Sequence, residues 1–313
     1  MTDDATRDVS LLLPAPIRAV RGDLPQPVVA AIGLAPQPRR TVVTAAGIPF
    51  AVAEWGGSTA RPVLLLHGVT SSADTWWWVG PGLAAAGWRA VAVDLPGHGA
   101  TGSWRGRHRF ADTAADVAAF ARTAGLAREG GGPEDPSSRL AVIGHSWGSM
   151  VASALPAAGL RPARLVLLDP PAKTVAEFRV LEAESDVLPF ATLEAATAAI
   201  RSANPTWSDR EVRAKATALC EVDPAAARAI LYENGDWDAG RAMLADPAAE
   251  GIETWVVRGD PEAGGYLPDS AVASLAELVG RRHILTVADA PHSPQRPHPE
   301  ATLLALLTAL GSR

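Results

Sequence analysis

Leu140-Ala-Val-Ile-Gly-His-Ser-Trp-Gly-Ser-Met-Val-Ala152 decides how the rest of the chain reads. Four apolar residues run into a glycine-flanked serine, and a segment of small, helix-compatible residues leaves it. An apolar run this short suits a strand buried on both faces. Gly144 and Gly148 leave room for a tight backbone, and the pattern predicts a sharp strand-to-helix turn. Such a turn lifts the serine hydroxyl to the carboxyl end of a parallel strand, beside a helix N-terminus that favours negative charge. Ser146 is therefore the candidate nucleophile.

Outward from that turn, similar short apolar runs predict strands at 62–66, 89–93, 164–168, 254–257 and 283–287. The stretches 41–45 and 50–55 read as a hairpin turned by Ala46-Gly47. Helix-compatible segments near 75–86, 111–124, 147–158, 270–279 and 297–311 separate the runs. Alternation of buried strands with helices predicts the α/β class, a mostly parallel eight-stranded sheet with helices on both faces. The rhythm breaks over 171–250, which is rich in Ala and Glu and carries helix starts at Thr192-Leu-Glu-Ala and Ser208-Asp-Arg-Glu. This segment reads as a helical cap inserted into a core made of 41–170 and 251–313.

Residues 1–40 hold six prolines, too many for long helices, and read as an arm with one or two helical turns. Its apolar patches at 11–13 and 28–32 predict packing on the body or on a second subunit. The Gly- and Pro-containing run 129–138 reads as a flexible surface loop.

Bulk properties exclude several classes. A formal net charge of −6 leaves no basic stripe for nucleic acid. Positive charge is almost all arginine, with Lys173 and Lys215 the two lysines. One cysteine, Cys220, allows neither an intramolecular disulfide nor a thiolate metal cluster. No apolar run reaches the roughly 18 residues of a membrane span. The acidic N-terminus lacks the apolar core of a secretory signal, so the expected location is cytoplasmic, as a monomer or homodimer.

A serine at neutral pH needs a base. Among seven histidines, His292 is best placed, on a proline-rich loop between the last strand and the terminal helix. His298 reads as a surface residue, His98 as a structural loop residue, and His145 as packing sideways inside the turn. Leu64-Leu-Leu-His-Gly-Val-Thr70 follows an early strand directly and puts a His-Gly turn at the same sheet edge as Ser146. The backbone N–H groups of Val69 and Trp147 are then the natural oxyanion donors, with His67 bracing the loop.

Five pieces in order, Leu66-His-Gly-Val-Thr, Val93-Asp-Leu-Pro-Gly-His-Gly, Gly144-His-Ser-Trp-Gly, Val257-Arg-Gly-Asp-Pro and Ala290-Pro-His-Ser-Pro-Gln, resemble the α/β-hydrolase fold superfamily. The likeness is to its capped serine esterase and haloperoxidase-like branch and covers 41–313. It implies a triad in the order serine, acid, histidine, with no metal or organic cofactor. The family places the acid on the loop after the penultimate strand. Its usual Gly-x-x-Asp spacing selects Glu262, whereas the variant Asp-Pro-x-x-Gly-Gly selects Asp260, which we prefer. Asp169, at the end of the preceding strand, is the third choice. Haloalkane dehalogenases and soluble epoxide hydrolases of this fold use an aspartate where Ser146 stands. A serine implies acyl transfer on a carboxylic ester, lactone, thioester or amide.

Three alternatives stay open: a cofactor-free haloperoxidase or perhydrolase, a prolyl-iminopeptidase-like amidase suggested by Ser146-Trp147-Gly148, and a catalytically silent binding protein. Aromatic residues near the expected entrance, Trp76, Trp77, Tyr232 and Trp237, are pocket candidates for a hydrophobic small-molecule acyl substrate.

Overall fold

A computed structural model describes residues 13–102, 106–127, 140–184, 190 and 192–311, without the side chains of 182–184. The 129–138 run and the start of the first apolar patch lie outside them. In chain order the elements are α1 (Gln26–Leu34), β1 (Arg39–Ala45), β2 (Ile48–Trp55), β3 (Arg61–Leu66), α2 (Val79–Ala85) and β4 (Trp88–Val93). There follow α3 (Phe110–Thr123), β5 (Ala141–His145), α4 (Trp147–Ala154), β6 (Arg164–Leu168), β7 (Ala172–Lys173), α5 (Val175–Glu184) and α6 (Leu193–Ala203). Next come α7 (Asp209–Glu221), α8 (Pro224–Glu233), β8 (Trp237–Asp238) and α9 (Arg241–Leu244). The chain ends with β9 (Glu253–Arg258), α10 (Asp269–Val279), β10 (Ile284–Thr286) and α11 (Pro299–Ala309).

Eight strands form one sheet in the order β1-β2-β4-β3-β5-β6-β9-β10. The β1–β2 and β2–β4 pairs are antiparallel and the rest parallel. The central strands are apolar throughout because helices cover both of their faces: Val63, Leu64, Leu65 and Leu66 have no exposed surface. Alternate residues feed two separate cores. Leu64 and Leu66 pack on one side with Val117, Phe120 and Met150, and Val63 and Leu65 on the other with Trp76, Leu83 and Leu306. Parallel order brings the carboxyl ends of β3, β5, β6 and β9 to one edge, where the strand order also reverses, which is where such sheets build sites.

The described part of the 171–250 segment is mainly helical, and β7 and β8 form a small antiparallel pair within it. The arm packs on the body. Ile17 forms a parallel bridge to Val287 beyond β10, and Leu24, Val28 and Ile32 are buried in the core with Trp55 and Leu303. Among the described residues no helix is long and apolar enough to cross a membrane.

Candidate active site

The turn between β5 and α4 holds Ser146 at φ 53°, ψ −119°, a conformation that costs a non-glycine residue about 1–3 kcal/mol. Its N–H donates to Leu168 O at 3.0 Å, fixing the turn to β6. Neighbouring glycines make the geometry possible. A Cβ at Gly144 would stand 2.1 Å from Gly148 O, and one at Gly148 would stand 2.3 Å from Leu66 O. A Cβ at Gly68 would lie 3.1 Å from that of Ser146, so the β3 loop passes in contact with the serine.

His292 Nε2 lies 2.8 Å from Ser146 Oγ. The other ring nitrogen, Nδ1, donates to Asp169 Oδ2 at 2.7 Å, which leaves Nε2 to accept the serine proton. Asp169 has no exposed surface. Its carboxylate also accepts N–H bonds from Gly259 to Oδ1 and from Tyr266 to Oδ2, both 2.9 Å. These bonds fix its orientation. The carboxylate on His292 is therefore Asp169, and Asp260 is not brought there. Asp260 Oδ1 accepts from Glu262 N–H and Oδ2 from Asp289 N–H, each at 3.1 Å, so it ties its own turn to the histidine loop. Glu262 is exposed. The loop expected to supply the acid supplies two donors to it instead.

Val69 shares the cavity with Ser146 and Trp147 directly follows it, and among the described residues neither backbone N–H has an acceptor. His67 braces this edge. Leu95 N–H donates to Nε2 at 3.0 Å, so Nδ1 carries the proton and donates to Gly68 O at 2.8 Å. Burial lowers the His67 pKa to about 4 and that of His98 to about 3, so both are neutral. His98 Nε2 donates to Val69 O and its ring stacks on Trp147, 5.0 Å between centroids. His145 does more than pack: its Nε2 donates to His292 O at 2.9 Å, joining the serine turn to the histidine loop.

A cavity of about 170 Å³ opens on Ser146 and His292. One wall is apolar, with Phe178, Leu181, Leu231 and Trp237. Of the four aromatic candidates, only Trp237 lines it. Trp76 is fully buried in the core. Trp77 Nε1 donates to Glu211 Oε2 at 2.7 Å, and Tyr232 lies under Arg179, 4.7 Å from guanidinium carbon to ring centroid. Adjacent positions in a helical segment point apart, so the Trp76-Trp77 pair was bound to leave the pocket in part.

The family pattern described as the alpha/beta hydrolase family matches residues 63–305. This chain belongs to it. Within the alpha/beta hydrolases, the lipase LipV of Mycobacterium tuberculosis is 29% identical over 290 residues, covering 85% of this chain and 99% of LipV. The esterase RhEst1 from Rhodococcus sp. ECU1013 superposes with a TM-score of 0.66 at 21% identity, covering 88% of this chain and 99% of RhEst1. A second esterase structure, from M. tuberculosis, gives 0.66 at 23%, covering 91% and 97%. At those identities the two structures speak for the fold alone.

Three residues of this hydrolase site escaped the sequence reading. Tyr266 stacks face to face on the His292 ring, 3.5 Å between centroids and 9° from parallel. Its signal was its place directly after Gly264-Gly265 in the loop that carries Asp260. Lys215 and Arg296 line the cavity, and nothing in their local sequence marks them.

Proposed function

We propose that this alpha/beta hydrolase is a serine hydrolase that cleaves a carboxylic ester or related acyl compound through an acyl-enzyme on Ser146. The observation that carries this reading is the hydrogen-bonded line Ser146 Oγ–His292–Asp169, whose Ser146 and His292 line a cavity with Asp169 buried behind them. His292 Nε2 takes the Ser146 proton as Oγ attacks the acyl carbon. The imidazolium that forms is stabilised by Asp169, which also holds the required tautomer. The oxyanion is received by the Val69 and Trp147 N–H groups, free of other acceptors among the described residues; donors so placed are each worth about 10²–10³ in kcat. His292 then returns its proton to the leaving alcohol, and water reverses the sequence to release the acid.

The 171–250 segment acts in this reading as a cap. Phe178, Leu181, Leu231 and Trp237 supply an apolar wall suited to a hydrophobic acyl or alcohol group. Kinship with LipV supports ester chemistry over the amidase alternative. Labelling by a fluorophosphonate probe tests the reading, with Ser146→Ala as control. The wild type is labelled and hydrolyses short 4-nitrophenyl esters, and the variant does neither; an unlabelled wild type sinks the proposal.

A further inference from the structure

The wall of the cavity away from its aromatic face is cationic. Lys215, on α7, reaches the loop after β3, where Nζ donates to Thr70 O at 2.7 Å and to Thr70 Oγ1 at 2.6 Å. An ammonium has three donors, so one N–H remains for the cavity that Lys215 lines. Arg296 lines the same wall and its side chain is only 4% exposed. Its guanidinium is bound to Glu211 Oε1 and donates to Thr75 Oγ1 at 3.0 Å. Glu211 spends its second oxygen on Trp77. With Lys215 protonated, one carboxylate faces two cations, and the cluster carries one positive charge in excess.

No Asp or Glu among the described residues lines the cavity to balance it. Burial first, then repulsion from Arg296, brings the Lys215 pKa down to about 7, against the pull of Glu211. A partly buried cation this poorly compensated gains most from an anion that arrives with the ligand. The position is also specific, since Thr70 directly follows Val69.

The geometry points to a subsite for a carboxylate group of the substrate at Lys215 and Arg296, beside the acyl-binding position. It rests on the serine-hydrolase reading and sharpens it: the substrate is an acyl compound with an apolar portion against Phe178 and Trp237 and an anionic end against Lys215. A charge-assisted hydrogen bond, shielded from water, is strong enough to select such a substrate over a neutral one.

The test compares matched esters by proton release at constant pH. One pair carries the charge on the acyl side, monomethyl adipate against methyl hexanoate. The other carries it on the alcohol side, 4-acetoxybutyrate against butyl acetate. Wild type favours the anionic member of at least one pair by about tenfold or more in kcat/KM, and Lys215→Met lowers that ratio by a similar factor. A labelled Ser146 with no anionic preference in either pair overturns the subsite and leaves the hydrolase reading standing. So does an equal loss on both members of each pair in Lys215→Met, which would make Lys215 a prop for Thr70. An unlabelled Ser146 overturns the hydrolase reading and the subsite with it.

Discussion

Asp169 and His292 stand 123 residues apart in the chain and 2.7 Å apart in space, Oδ2 to Nδ1. The contact exists because β6 and β9 are parallel neighbours and Asp169 leaves β6 with its N–H bonded to Val257 O at 2.7 Å. Its backbone turns there through φ 43°, a left-handed conformation uncommon for a residue with a side chain. A glycine at 259 lets the following loop close on the histidine loop: a Cβ there would sit 2.8 Å from both Ala290 O and Pro291 O.

Exchange of the acid separates the two carboxylates. Asp169→Asn leaves the shape but favours the wrong His292 tautomer, and kcat falls by about 10⁴. Asp260→Asn disturbs the turn that binds Asp289 N–H and lowers thermal stability rather than kcat. Steady-state kinetics and a melting curve on both variants check this; equal kcat losses would argue against the assignment.

Relief of backbone strain at Ser146, the proposed nucleophile, should raise stability while removing activity. Ser146→Gly releases about 1–3 kcal/mol of strain at φ 53° and gives back part of it in unfolded-chain entropy. The net gain is about 1 kcal/mol, or about 1.5 °C in Tm for a chain of 313 residues, with ester hydrolysis lost. A melting temperature at or below that of the wild type contradicts it.

Gly148→Ala should damage both fold and catalysis. The new Cβ meets Leu66 O at 2.3 Å and His67 O at 2.7 Å, so α4 must move off β3. Overpacking of this kind costs about 1–3 kcal/mol, and the shift also displaces Ser146 from His292. Denaturant unfolding and fluorophosphonate labelling report the two effects separately.

Acid should unfold the protein in a defined window. Burial holds His67 near pKa 4 and His98 near 3, and His145 well below its ordinary value, while in the unfolded chain each returns to about 6.5. The unfolded state therefore binds more protons below pH 6.5. The stability these neutral rings allow is complete above that pH and is lost as pH falls towards 4, by about 3 kcal/mol each for His67 and His98 at pH 4. Urea midpoints measured from pH 7.5 to 4.5 should fall steeply, and His98→Gln should flatten the slope by about one proton. A slope unchanged in that variant would show that His98 does not titrate on unfolding.

The ion pair between α7 and the histidine loop should matter to stability. Arg296 and Glu211 are both nearly buried, so Glu211→Ala strands the guanidinium and costs about 3–5 kcal/mol. Replacing both with Met restores much of that loss, as thermal melts of the single and double variants would show.

Local pattern sufficed wherever the signal lies in neighbouring residues. Buried strands announce themselves as short apolar runs, and the β5–α4 turn by two glycines whose absent side chains the packing requires. His292 was legible because a histidine on a rigid loop after the last strand has one sheet edge to face. The third member of the line was not legible, since an acidic residue at the end of β6 and another after β9 look alike in sequence. Which of them reaches the imidazole depends on how closely two loops approach, and the tertiary structure decides it by turning Asp260 onto its own backbone. The same holds for Lys215, Arg296 and Tyr266, whose positions follow from helix packing over the sheet edge, through contacts that neither periodicity nor spacing encodes.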